Sequence, residues 1–163
     1  MSPCQGEGQR FESARPLNMK ITSSAFDQNK SIPSVYTCDG ENTNPALTFS
    51  DVPENAKSLV LIMDDPDAPS GTFVHWVVYN IDPKTKKVDQ NSVPKDGIQA
   101  LTSGRDQKYL GPCPPSGQHR YFFKLYALDT LLSISETADK KAILSKMENH
   151  VIVSAELVGL YKR

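Results

Sequence analysis

The stretch Gly111–Asp129, GPCPPSGQHRYFFKLYALD, changes character part-way along. Pro112, Pro114 and Pro115 lack backbone donors, and Gly111 and Gly117 admit unusual dihedrals, so its first part is a stiff loop. Its second part is rich in aromatic residues and reads as a strand. Side chains alternate with period two, which puts His119, Tyr121, Phe123 and Leu125 on one face. A histidine and a tyrosine thus point the same way where a rigid loop feeds a buried strand. That arrangement suits a small-molecule pocket.

The rest of the chain supplies partners for this strand. Ser58–Met63 (SLVLIM) is a short apolar run of strand length, expected in the core and buried on both faces. Asp64-Asp65-Pro66-Asp67-Ala68-Pro69 follows, and its acids and prolines predict a loop at the strand's C-terminal end. Val74–Ile81 (VHWVVYNI) is the next strand, with His75, Val77 and Tyr79 expected on one face and Trp76, Val78 and Asn80 on the other. Met19–Phe26 reads as a short half-buried strand. Ser31–Ser50 reads as a hairpin-like region with turns at Asp39-Gly40 and Asn44-Pro45. Asp82–Gln107 is a long polar connection holding a weak strand or two. A helix is predicted from about Asp139, its N-cap, to Asn149, with Ala142, Ile143 and Met147 as the apolar stripe. Val151–Tyr161 reads as the last strand. Strands dominate and the helix comes late, so the fold class is mainly β, an antiparallel β-sandwich.

At 163 residues the chain is long enough for one domain without disulfide staples. Residues 1–18 are polar and without apolar periodicity and read as a flexible tail, leaving 19–163 as the domain. A net charge of −1 argues against a large nucleic-acid surface. No apolar run reaches the roughly 18–20 residues of a membrane helix. The first residues, MSPCQGEGQRFESARP, lack the apolar core of a signal peptide, so the expected location is the cytoplasm. Cys4, Cys38 and Cys113 show no metal-binding spacing. Cys38 and Cys113 read either as isolated thiols or as a disulfide between two loops, and spacing alone does not choose.

The polar groups that stand out are Asp65, Asp67, His75, the Gly111–Gly117 loop, His119 and Tyr121. If the strands carrying Asp65 and His75 are neighbours, the carboxylate accepts a hydrogen bond from the imidazole and fixes its tautomer. Two imidazoles, a phenol and loop N–H groups make a donor-rich site suited to an anion, phosphate first. The carboxylates oppose this unless they are paired. Each group also has a plain structural reading: satisfied core histidines for His75 and His119, a rigid turn for the Asp-Pro loop, and a helix-end residue for His150. Two chemical alternatives remain open at this level. One is a metal held by His75, His119 and an Asp, although no H-x-x-x-H pair is present. The other is a Cys113–His119 nucleophile pair with no visible orienting group.

These segments together resemble the phosphatidylethanolamine-binding protein family, in its bacterial and archaeal, Raf-kinase-inhibitor-like branch. The resemblance rests on YTCDGENTNP (Tyr36–Pro45), DPDAP (Asp65–Pro69), HWVVYNI (His75–Ile81), GPCPPSGQHRYFFKLYALD (Gly111–Asp129) and ENHVIVSAELVGLY (Glu148–Tyr161). It covers nearly everything from Met19 onward. It implies a Greek-key β-sandwich with an anion pocket at one end, lined by Asp65, Asp67, His75, Gly111, Pro112, His119 and Tyr121. It also implies a cis peptide at Ala68-Pro69. Ligands implied are phosphate, phosphorylated headgroups such as phosphoethanolamine, nucleotides and small carboxylates. A regulated protein partner and a homodimer are implied too. The sequence stops at Arg163, soon after ELVGLY, without the C-terminal helix that borders the animal pocket.

The function expected is therefore a non-enzymatic small-anion-binding protein, with no catalytic residue, metal or cofactor, that regulates a partner protein. The alternatives are a kinase or protease inhibitor acting through its surface with a vestigial pocket, and a metal-assisted hydrolase.

Overall fold

The computed structural model describes residues 18–163. The segment read as a tail, 1–18, lies outside the described residues except for Asn18. The strands are β1 (Lys20–Thr22), β2 (Lys30–Ser31), β3 (Leu47–Ser50), β4 (Ser58–Asp65), β5 (Phe73–Ile81), β6 (Lys87–Val88), β7 (Ile98–Gln99), β8 (Gln118–Leu128) and β9 (Val151–Lys162). One helix, α1 (Lys140–Met147), precedes β9. A six-stranded sheet runs β2-β9-β8-β4-β5-β7, and a three-stranded sheet runs β1-β3-β6. Pairing is antiparallel except between β9 and β2. The mainly β sandwich expected from the sequence is what forms.

Every residue of the central strand β4 is buried, because both faces of the large sheet are covered. One face packs on the small sheet: Leu59, Leu61, Met63, Trp76, Phe123 and Leu157 meet Ile21, Leu47, Phe49 and Val88. The register aligns Trp76, Met63, Phe123 and Leu157 in one row across the strands. The other face packs on α1: Val60, Ile62, Val77, Tyr79 and Leu128 meet Leu132, Ile143 and Met147. Asp139 caps that helix, its Oδ1 accepting from Ala142 N–H at 3.0 Å.

Three local expectations need correction. β4 does not stop at Met63 but carries Asp64 and Asp65 as strand residues, because each carboxylate finds a partner from β8 or α1. The region 31–50 is no hairpin: Ser31 pairs with Leu160 in the large sheet, while Leu47–Ser50 lies in the small one, and a 3-10 turn at Ser34–Tyr36 leads the chain across. No cis peptide occurs among the described residues. Gly71 N–H donates to Ala68 O at 3.1 Å, which places Pro69 second in a β-turn that trans proline serves.

Candidate functional site

The site begins with an irregularity in β5. Met63 pairs with Trp76 and Asp64 with Val74, so His75 is one residue more than the ladder needs. Such a β-bulge re-aims a side chain. Alternation alone puts His75 with Val77 and Tyr79, which pack under α1. The bulge instead turns its ring toward Tyr121 on the opposite face, with ring centroids 5.3 Å apart and edge-on. The 108–111 loop grips the bulge at two points. Leu110 N–H donates to His75 O at 3.0 Å, and His75 Nδ1–H donates to Leu110 O at 2.7 Å. Nε2 remains for other partners.

From β8, His119 and Tyr121 reach the same place as the alternation predicts, both buried. His119 Nδ1–H donates to Asp65 Oδ2 at 2.7 Å, again leaving Nε2. Asp65 Oδ1 accepts the Asp67 N–H at 2.7 Å. Both carboxylate oxygens are thus engaged, which damps the repulsion an anion meets here. Among the described residues the buried Tyr121 hydroxyl finds no hydrogen-bond partner of good geometry.

Asp65, His75, Gly111, His119 and Tyr121 line one cavity of about 330 Å³, with Phe73, Leu110, Ala68 and Pro69 among its apolar walls. Two residues read as ligand-binding lie off it. Asp67 faces outward and holds Arg120 by three hydrogen bonds, from N at 2.9 Å, Nε at 2.9 Å and Nη2 at 2.8 Å. Pro112 sits behind the wall, its carbonyl accepting Cys38 N–H at 3.1 Å. Asn42 and Phe73 were missed by sequence reasoning. Asn42 lies on the wall, and its Oδ1 takes the Gly111 N–H at 2.7 Å. A side chain at Gly111 would strike that oxygen and the Tyr36 carbonyl. The turn-rich Asp39-Gly40-Glu41-Asn42 run was the signal that the loop is built rather than loose.

Electrostatically, burial pushes the His75 imidazole below its ordinary 6.5, against the Leu110 hydrogen bond. That ring is therefore neutral and offers Nε2 as an acceptor. Burial raises the Tyr121 phenol, and nearby Asp65 adds to this, so it stays a donor. The Arg120 guanidinium holds Asp67 at about 2.

Among the described residues no three His, Cys, Asp or Glu side chains converge as a metal-binding group. His75 and His119 share the cavity, but Asp65 is spent on His119. Cys113 is bonded to Cys38 and has no thiol to act as a nucleophile with His119. His150 does end the helix, its N–H bonding Met147 O, but its ring pairs with Asp129 at 2.8 Å.

The sequence pattern of the phosphatidylethanolamine-binding protein family matches residues 22–162. The chain belongs to this family. A UPF0098 protein of the archaeon Methanothermobacter thermautotrophicus is 48% identical over 89% of this chain and 99% of its own length. One from Chlamydia trachomatis is 42% identical over the same shares. Among solved structures, a phosphatidylethanolamine-binding protein homologue from Chlamydia trachomatis superposes with a TM-score of 0.86 at 41% identity, covering 91% of this chain and 99% of that one. YbcL of E. coli, described as a member of the mammalian family, gives 0.83 at 27% identity, covering 89% and 98%. No helix among the described residues is long and apolar enough to cross a membrane.

Proposed function

We propose that this family member is a non-enzymatic binding protein for a small phosphate-like anion, held in the cavity between the β5 bulge and the head of β8. The observation that carries this reading is the buried Tyr121 hydroxyl, which has no well-formed hydrogen bond among the described residues and faces a cavity shared with both histidines. A buried hydroxyl left alone costs about 1–3 kcal/mol, which a ligand oxygen recovers. His119 Nε2 is the second polar contact, and His75 Nε2 accepts from a protonated phosphate oxygen. The apolar walls suit a headgroup carrying a short organic arm, such as phosphoethanolamine, and a regulated partner protein would respond to occupancy. Titration with inorganic phosphate, phosphoethanolamine and a nucleoside monophosphate, followed by His and Tyr ring NMR, tests it. Shifts at His75, His119 and Tyr121 are expected with at least one of them. Unchanged spectra with all three overturn it.

The proposed location is the cytoplasm, where the exposed Cys38–Cys113 disulfide would be transient rather than permanent, and the proposed assembly a homodimer. Light scattering during size-exclusion chromatography decides the second. Thiols in the cytoplasm are kept reduced. Alkylation of intact cells, scored at Cys38 and Cys113, decides the first: labelled cysteines support it and blocked ones oppose it.

A further inference from the structure

The cavity wall also holds a group that anion binding leaves unused. Cys38 and Cys113, separated by 75 positions, form a disulfide with Cα atoms 5.4 Å apart. Both line the cavity and both are exposed. The Arg163 guanidinium lies against the bond, Nη1 standing 3.4 Å from Cys113 Sγ and 3.8 Å from Cys38 Sγ. Arg163 is itself fixed: it exchanges backbone hydrogen bonds with Gly117 at 2.9 and 3.2 Å, and its Nη2 lies 3.4 Å from Asp39 Oδ1. Tyr161 donates to the other Asp39 oxygen at 2.6 Å. A buried structural disulfide is inert, whereas an accessible one beside a cation is the kind that exchanges.

We propose that the Cys38–Cys113 bond is a reversible modification site for a small anionic thiol, and that the adduct, carried on Cys38, closes the cavity. The incoming thiolate attacks Cys38 Sγ. A new S–S bond forms there as the Cys38–Cys113 bond breaks, and its electron pair leaves on Cys113 Sγ as a thiolate. One disulfide and one thiolate enter the step and one of each leaves it, so no external oxidant or reductant is consumed. Arg163 sets the direction, because the guanidinium is nearer Cys113 and a stabilised thiolate leaves faster. It also attracts the anionic thiol.

Reversal is built into the loops. Pro112 and Pro114 flank Cys113 and restrict its backbone. Cys38 N–H to Pro112 O, and Gly111 N–H to Asn42, tie the two loops together without the sulfur bridge. Cys113 therefore stays within reach of the mixed disulfide and attacks it, expelling the small thiol. The closure of the cavity rests on the anion-binding reading; the exchange itself does not.

The test uses the full chain with Cys4→Ser, so that only this pair carries sulfur for exchange. It is incubated with reduced glutathione, quenched in acid and mapped by peptide mass spectrometry, with Arg163→Gln and Arg163→Lys alongside. One glutathione on Cys38 with Cys113 free is expected, and desalting regenerates the bond. Arg163→Gln slows adduct formation about ten-fold, through the weaker leaving group. Arg163→Lys restores most of the rate, which a purely structural arginine would not. No adduct on the folded protein, an adduct on Cys113, or equal rates for wild type and Arg163→Gln overturns the proposal. Phosphate titration separates it from the anion reading. If the unmodified protein does not bind phosphate, that reading fails and the exchange is judged on adduct position and rate. If the adduct binds phosphate as tightly as the unmodified protein, closure of the cavity is overturned.

Discussion

Asp64 and Asp65 are neighbours on one buried strand, at 1% and 3% exposure, yet their surroundings have little in common. Asp64 points to the helix face, where Lys140 of α1 and Lys124 of β8 both reach Oδ2, at 2.7 and 3.2 Å. Asp65 points to the opposite face and holds His119 at the edge of a cavity. The first carboxylate is closed: two ammonium groups converge on its one charge. The second is held by an imidazole whose other nitrogen remains available. Chemistry gathers where a buried charge is satisfied through a group that still has something to offer, and architecture where it is not.

The largest expected effect tests the closed side. Lys124→Met with Lys140→Met strands the Asp64 carboxylate and lowers stability by about 3–5 kcal/mol in urea unfolding, the range for breaking a buried pair. Phosphate affinity of the protein that remains folded should change less than two-fold, and a larger loss would mean the faces are coupled. His119→Ala is the mirror experiment. It leaves Asp65 beside a cavity that water enters, so the loss is about 1–3 kcal/mol. Phosphate binding should fall at least ten-fold, as calorimetry would show.

A pH series sharpens the contrast on the cavity side. His75 is held below its ordinary 6.5 by burial, so as pH falls below 6.5 the unfolded chain takes up the proton first. Stability from this group is therefore complete above 6.5 and declines below it, by at most about 1.4 kcal/mol per pH unit. His75→Gln should flatten that limb. Asp67 behaves as a separate acid limb: held at about 2 by Arg120 against an ordinary 3.8, it contributes above 3.8 and is lost as pH falls toward 2. Asp67→Asn should remove that limb without changing phosphate affinity. The smallest effect is Asp139→Ala, which uncaps the helix that presents Lys140. It should cost about 1 kcal/mol in thermal unfolding and leave the cavity's ligand affinity unchanged.

The large strands were legible because each is an apolar or alternating run whose partners share its burial: SLVLIM, VHWVVYNI, HRYFFKLYAL and VIVSAELVGLY all lie within observed strands. The helix was legible from Asp139 and its stripe, of which Ile143 and Met147 are buried. His119 and Tyr121 followed from period two. What failed depended on contacts distant in sequence. Asp64 and Asp65 looked like loop residues because Lys124, Lys140 and His119 lie 54 to 76 positions away. Asn42 meets Gly111 across 69 positions. His75 was placed on the wrong face because periodicity assumes a regular strand, and no local residue pattern announces the bulge.

That extra residue has a consequence for inheritance. With Met63 opposite Trp76 and Asp64 opposite Val74, deleting His75 alone would put the pairs from Leu61 to Asp65 into one unbroken register, leaving only the separate shift between Leu59 and Leu61. A single-codon deletion would erase the His75 wall of the site while keeping the flanking strand pairs, and a single-codon insertion would add that wall to a site whose other residues are in place. Scaffold and chemistry can then be gained or lost separately, so descendants that share this fold need not share its ligand.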